Sequence, residues 1–230
     1  MIAFAQIQLG CGETAVCMRC HPERAVSMFP AEQVVAAVGR AAAEWGAGPG
    51  PNVSFVGAEP FAHPALVRLV NAAVQAGCER IRLRTDGGAL FVGGNAAGVV
   101  QAGVRHVELV LLAGDSVTHD GLADRPGLFE AAISGAGAFT EAARVVGEHV
   151  SVTGLVRVCR HNAPHLSSAV LALAKAGAVS VLVERAEGFM LPSATLAEAL
   201  RVATVAGVAL HGDGVSPFSA EPWTVREVAV

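Results

Sequence analysis

Charge is scarce in this chain. Asp, Glu, Lys and Arg supply 16% of its 230 residues, hydrophobic residues supply 53%, and aromatics only 5%, so the expected core is large and much of it is Ala and Val. The 16 basic and 20 acidic residues leave a formal net charge of -4. No basic cluster is present, which argues against a nucleic-acid backbone as the main partner. No apolar run reaches the roughly 18 residues that a bilayer-spanning helix needs, so no membrane partner is expected. Met1-Ile2-Ala3-Phe4 lacks the charged start and long apolar segment of an export signal. The five cysteines are an odd number, with Cys78 and Cys159 far from the other three. That is the pattern of a reducing compartment rather than a disulfide framework, and a cytoplasmic location is expected. Linkers and low-complexity segments are also absent. The chain therefore reads as one domain over 1–230, with a short C-terminal tail from about 212 to 230.

What is present is an alternation. Residues 2–9 are almost continuously apolar, as in a strand buried on both faces. Helical spacing follows over 31–45, a strand over 52–56, and a helix over 64–76 with Leu66, Leu69, Val70 and Val74 on one face. An Ala-Gly pair then precedes a short apolar strand four times, at Gly77, Gly103, Gly177 and Gly207, each Gly closing a helix. With residues 150–158 added, six or seven strands alternate with helices, which calls for a parallel sheet with right-handed crossovers. Ligands of such α/β arrays gather at the carboxyl ends of the strands. Those ends carry a set of polar residues, among them Glu59, Thr85, Asp86, Asp115, His119, His161, Asn162, Glu184 and His211.

The same rim carries Cys11, Cys17 and Cys20, directly after the first strand. Three thiols on one loop without a fourth in register suit a centre that keeps one position open, and an iron–sulfur cluster is the leading candidate. Zinc closed by His21 or His63 is a rival. Cys17-Met18-Arg19-Cys20-His21 also fits a c-type haem attachment, which requires export. Residues 10–15 loosely fit a dinucleotide fingerprint, but Pro22 would soon interrupt the helix it needs.

Four further segments, in order, carry a resemblance. Phe55-Val56-Gly57-Ala58-Glu59-Pro60 with His63-Pro64-Ala65-Leu66 is similar to a G-G-E-P segment followed by H-P-x-L, and Arg84-Thr85-Asp86-Gly87 to a strand ending T-N-G. Thr118-His119-Asp120 with residues 125–129 is similar to the stretch after a fourth strand, and Arg160-His161-Asn162 to the end of a fifth. With the Cys loop, these resemble the radical SAM enzymes. The resemblance implies a partial (β/α)6 TIM-like barrel and a [4Fe-4S] cluster on Cys11, Cys17 and Cys20. It implies S-adenosylmethionine (SAM) on the fourth iron, cleaved by one electron to a 5'-deoxyadenosyl radical that abstracts hydrogen from a substrate. It offers Met18, Gly57, Ala58, Glu59, Thr85, Asp86 and Asn162 as the residues around SAM. Glu59 would meet the methionyl amino group, Gly57 and Ala58 would allow close backbone approach, and Met18 would lie near adenine. A small-molecule substrate and an external one-electron reductant of flavodoxin or ferredoxin type are the expected partners.

The chain departs from that pattern in two places. Its cysteine spacing is C-x5-C-x2-C rather than C-x3-C-x2-C, and its fourth strand ends in Leu111 and Ala113, which can donate no hydrogen bond to SAM or substrate. The apolar ending keeps a second reading open, a degenerate barrel that binds a metal or ligand without radical chemistry. A nicotinamide-dependent oxidoreductase is a third. No Cys-rich extension follows the barrel, so auxiliary clusters are not expected. Cys159 reads as a core residue that happens to be last in its strand.

Overall fold

The computed structural model describes residues 4–14, 17–20, 27–45 and 50–212, together with the backbone of 225–228. Strands and helices alternate along them. β1 (Phe4–Gln8) is followed by two short strands, β2 (Gly10–Cys11) and β3 (Ser27–Met28), then by α1 (Ala31–Ala43), β4 (Asn52–Val56), α2 (Leu66–Gln75) and β5 (Arg80–Thr85). The next elements are α3 (Asn95–Ala102), β6 (His106–Val110), α4 (Ser116–Ala123), α5 (Leu128–Val146) and β7 (Ser151–Val158). The chain continues through α6 (Leu166–Lys175), β8 (Ala178–Arg185), α7 (Ser193–Ala206) and β9 (Ala209–Gly212). In the stretch read above as a tail, Val225–Val228 forms β10.

One sheet orders them β10-β1-β4-β5-β6-β7-β8-β9, and neighbouring strands in it run parallel. Parallel neighbours require crossovers, and the helices supply them. Gly77, just past α2, has a φ of +82°, and Gly207 caps α7 at +72°, so each ends its helix in the left-handed turn that the Ala-Gly repeat predicts.

Strand alternation gives the sheet two unlike faces. Ile7, Phe55, Leu83, Leu109, Val156 and Val183 pack with the helices in the main core. The other face carries Gln6, Gln8, Ser54, Arg82, Arg84, Glu108, Arg157 and Glu184, and it closes on itself. In a flat sheet three strand spacings would separate β5 from β8 by about 14 Å. Arg84 Nη2 nevertheless lies 3.3 Å from Glu184 Oε1. β1 and β8 also line one common cavity, although five spacings, or about 24 Å flat, would part them. The sheet is therefore rolled into a partial barrel, with no pairing between β9 and β10 among the described residues.

The barrel interior combines a charged network with a small apolar cluster of Val110, Leu155 and Leu182. Leu111 points into the helix-side core rather than inward, so its lack of a donor is without consequence for the interior. The buried Glu108 lies 3.2 Å from Arg82 and also pairs with Arg84. Burial works against its charge, but the two guanidiniums more than offset that and hold its carboxyl below the ordinary range. Arg82 also donates to Ser54 Oγ at 2.8 Å and lies 4.5 Å from the centre of the Phe4 ring. No helix among the described residues is long and apolar enough to cross a membrane.

Candidate metal centre

After β1 the chain reaches a tight turn in which Cys20 N–H donates to Cys17 O at 3.0 Å, and Met18 N–H anchors it to Leu122 O at 2.8 Å. β7 ends beside that turn. The Cys17, Cys20 and Cys159 sulfurs and a His161 ring nitrogen all lie within 4.8 Å of one another. His161 Nδ1 is 3.2 Å from Cys20 Sγ and 3.9 Å from Cys17 Sγ. Cys17 and Cys159 are 4% and 5% exposed, so two of these thiols are out of water. Burial, then the neighbouring Cys159 and Cys17 thiols, push the Cys20 thiol up to about 12. Leu112, Leu122 and Leu128 pack around the group.

Cys11 stands apart from that group. It is exposed, and β2 holds it in an antiparallel pair with β3, Cys11 opposite Ser27. His63 also lies elsewhere, bonded through Nε2 to Phe29 O at 3.1 Å. His21 falls outside the described residues.

The second half of the site forms around Glu59. Its carboxylate accepts from Thr14 Oγ1 at 2.5 Å, Thr85 Oγ1 at 2.6 Å, Asp86 N at 2.9 Å and Phe61 N at 3.4 Å. The last bond caps the short 3-10 turn Pro60–Ala62. Burial and then the nearby Asp86 carboxylate raise its pKa to about 7, against the pull of these donors. Asp86 is itself tied to Gly88 N at 2.9 Å and paired with Arg125. Gly57 passes close over β1 at a φ of +87°, where an added Cβ would sit 2.3 Å from Gln8 Oε1. Ala58 is fully buried and Met18 half-buried.

Asn162 is fully buried and spends its amide on the scaffold. Its Oδ1 accepts from Cys159 N at 2.7 Å, and its Nδ2 donates to Leu112 O at 3.1 Å and Arg157 O at 3.0 Å. It thereby staples the end of β6 to the end of β7 and fixes where Cys159 stands. His119, the other fully buried polar group nearby, accepts from Leu112 N at 3.1 Å through Nδ1 and packs on Phe129. Burial lowers its pKa to about 4, so it is a neutral imidazole.

A cavity of about 260 Å³ opens inside the barrel beside this rim, lined among others by Gln8, Thr14, Arg84, Arg157 and Glu184. Arg157 spans it, 3.0 Å from Glu184 and paired with Glu13. The structure thus brings together Cys17, Cys20, Glu59, Thr85 and Asp86 on one rim and leaves Cys11 outside. Sequence reasoning passed over Cys159, Arg84 and Arg157 as site residues. The available signal was polar residues at alternate positions of strands in a chain with few charges.

No protein-family model and no curated protein matches the sequence. Solved structures do match. Streptococcus suis SuiB superimposes with a TM-score of 0.63 at 15% identity over 96% of this chain and 52% of SuiB. SuiB has also been solved bound to the precursor peptide SuiA and to S-adenosylmethionine. The protein anSMEcpe, solved with bound AdoMet and a Cp18Cys peptide, gives a TM-score of 0.64 at 14% identity over 91% of this chain and 63% of its own. Methylornithine synthase PylB gives 0.54 at 13% identity over 95% and 74%. The chain spans about half the length of SuiB. Its fold is the one these radical SAM proteins share.

Proposed function

We propose that this protein is a radical SAM enzyme. The observation that carries the reading is the convergence of three thiols and an imidazole at the carboxyl-end rim of a barrel whose fold SuiB and anSMEcpe share. Thiolates and imidazole are donors for iron–sulfur clusters and zinc rather than for hard cations, so the chemistry of the donors suits a [4Fe-4S] cluster. Cys17 and Cys20 supply two thiolates, and the loop motif offers Cys11 as a third. When bound, the cluster and SAM supply one-electron cleavage of a carbon–sulfur bond, the hard chemistry that a cofactor brings. The chain's own residues bind, orient and shield. Glu59, Thr85 and Asp86 offer one hydrogen-bonded polar face to the methionyl group, the backbone of Gly57 and Ala58 lies beside it, and Met18 offers a thioether to the adenine. Asn162 acts indirectly, by holding the end of β7. A flavodoxin- or ferredoxin-type protein is the proposed electron donor.

The interior cavity supports a polar substrate about the size of an amino acid, free or as one residue of a peptide. Arg84, Arg157 and Glu184 present both signs of charge to it, which suits a zwitterion or an amide better than a hydrocarbon. SuiB and anSMEcpe have been solved with peptides, which favours the second source. Anaerobic reconstitution with iron and sulfide tests the reading. The expected result is a reducible four-iron cluster whose spectrum changes on SAM addition, with 5'-deoxyadenosine released under dithionite. A protein that assembles no cluster, or one indifferent to SAM, overturns it.

His161 favours a second reading. With its nitrogen 3.2 Å from Cys20 Sγ, four protein donors could close the tetrahedron of a single zinc ion and leave no open position. One equivalent of tightly held zinc in protein isolated without added iron would support it.

A further inference from the structure

We infer that Arg157 is the carboxylate-binding residue of the barrel cavity, and that the carboxylate of an aliphatic substrate takes the place of Glu13 beside it. Calling that ligand a substrate rests on the radical SAM reading, whereas the carboxylate site rests on the barrel interior alone. Six charged side chains form one alternating row there. Arg82 meets Glu108, Glu108 meets Arg84, Arg84 meets Glu184, Glu184 meets Arg157, and Arg157 meets Glu13. The row begins at a buried guanidinium and ends at a half-exposed carboxylate.

The last member is the one that exchanges at least cost. The first five stand on strands, Arg82 and Arg84 on β5, Glu108 on β6, Arg157 on β7 and Glu184 on β8. Glu108 and Glu184 each serve two guanidiniums, so removing either would leave charge unpaired away from water. Glu13 stands instead on the loop after β2 and keeps 48% of its side chain in solvent, where an ion pair contributes little. Its neighbour Thr14 is pinned separately, by its N–H on Gly57 O at 2.8 Å and its hydroxyl on Glu59. The Glu13 side chain can therefore turn out to water while the backbone beside it stays.

Charge balance then specifies the ligand. Two guanidiniums and two carboxylates line the cavity, Arg84 and Arg157 against Glu13 and Glu184. A monocarboxylate in place of Glu13 preserves that balance, whereas a lone ammonium group would add a cation beside two others. The freed Glu13 is available to an amino group on the same ligand, which keeps a zwitterion within the class. Val56, Val110 and Leu155 also line the cavity and suit an alkyl chain. Arg157 precedes Cys159 by two residues, about 7 Å of extended strand, so a head group bound there lies below the rim and the Glu59 face offered to SAM.

Ligand-observed NMR titration of the full-length protein tests the site, with hexanoate, hexanamide and pentylammonium as probes that share one alkyl chain and differ in head group. Wild type should bind hexanoate about tenfold or more tightly than either of the others. Arg157→Gln should erase that preference, and Arg157→Lys should restore part of it. Glu13→Gln should bind hexanoate about two- to fivefold more tightly than wild type, because the competing carboxylate is gone. A merely structural ion pair would weaken binding in both glutamine variants, so the opposite signs carry the test, with thermal melts confirming that each variant folds. No preference for hexanoate in wild type, a preference that survives Arg157→Gln, or weaker hexanoate binding in Glu13→Gln overturns the inference.

Further arms separate the sources of the carboxylate. In protein reconstituted with iron and sulfide, SAM that displaces hexanoate and itself binds more weakly in Arg157→Gln would make the carboxylate SAM's own and overturn the inference. Acetyl-diglycyl-leucine bound more tightly than its C-terminal amide would place the substrate carboxylate at a peptide end, and equal binding of the two would place it on a free acid. If wild type binds hexanoate through Arg157 but assembles no cluster, the radical SAM reading fails and the carboxylate site stands. If a SAM-responsive cluster assembles while Arg157→Gln leaves hexanoate binding unchanged, the site fails and the reading stands.

Discussion

Glu59 spends its carboxylate oxygens on the scaffold. Four donors already converge on its carboxylate, so Glu59→Gln would set an NH2 group against donors that need an acceptor. The expected cost is about 1–3 kcal/mol of stability, or a fall in Tm of about 2–10 °C. If Glu59 also meets a cationic amino group, SAM affinity should drop about tenfold to a hundredfold while the cluster is retained. Isothermal titration beside a thermal melt reads both, and a lowered Tm with unchanged SAM affinity would leave Glu59 as a cap alone. Asn162 makes a sharper case. Asn162→Ala leaves Cys159 N, Leu112 O and Arg157 O without their partner. It should cost about 2–4 kcal/mol, read by urea denaturation, because the backbone that carries Cys159 loses its anchor. Wild-type stability in that variant would show that the end of β7 needs no staple.

Among the elements, α5 buries mostly small residues. Its buried side includes Leu128, Ala132, Gly135, Ala136, Phe139 and Ala143. Small residues are used there because the Gly87 turn, at the rim, presses against the helix. A Cβ on Gly135 would sit 2.2 Å from Gly87 O, whereas Gly137, on the same helix, faces open space. Gly135→Ala should therefore destabilise by about 1–3 kcal/mol through overpacking, and Gly137→Ala should stabilise by about 0.5–1 kcal/mol through helix propensity. Urea denaturation of the two variants checks the pair, and equal effects at both sites would refute the close approach. Most other elements were readable to within a few residues, because buried parallel strands are short apolar runs and the Ala-Gly pairs mark where helices stop.

Across the whole molecule, the barrel interior sets the response to acid and to charge deletion. Glu108→Ala leaves Arg82 and Arg84 without the buried carboxylate they share, and the expected loss is about 3–5 kcal/mol. A cost below about 1 kcal/mol, measured by denaturant titration, would mean that water reaches those guanidiniums. His106 is lowered to about 4 by burial, then Arg82 and Arg80, and His119 to about 4 chiefly by burial. Between pH 6.5 and 4 the unfolded state holds more protons at these positions, so stability falls as pH falls through that window, by up to about 3 kcal/mol for each group. Glu59, raised to about 7, acts in the opposite direction and gains stability as pH falls from 7 to 4.5. The net expectation is acid destabilisation below pH 6.5 that His106→Gln makes shallower. An unchanged slope in that variant would place the acid response elsewhere.

By itself the sequence determined the alternation of strands and helices, the parallel sheet, and the rim on which function is sought. Those follow from periodicity, helix-stopping glycines and the clustering of polar residues at strand ends, all of which are local signals. Tertiary structure decided which thiols meet. Cys11 lies six residues from Cys17 in the chain and yet outside the group, because its pairing with Ser27 holds it at the surface. Cys159 lies far along the chain and yet within 4.8 Å, because the curl of the sheet swings the end of β7 back over the turn after β1. The same curl brings Glu184 to Arg84 across three strands and makes the interior a charged cavity. Spacing along a chain records groups that one loop carries, whereas groups carried by two strand ends meet only once the barrel has closed far enough to bring them together.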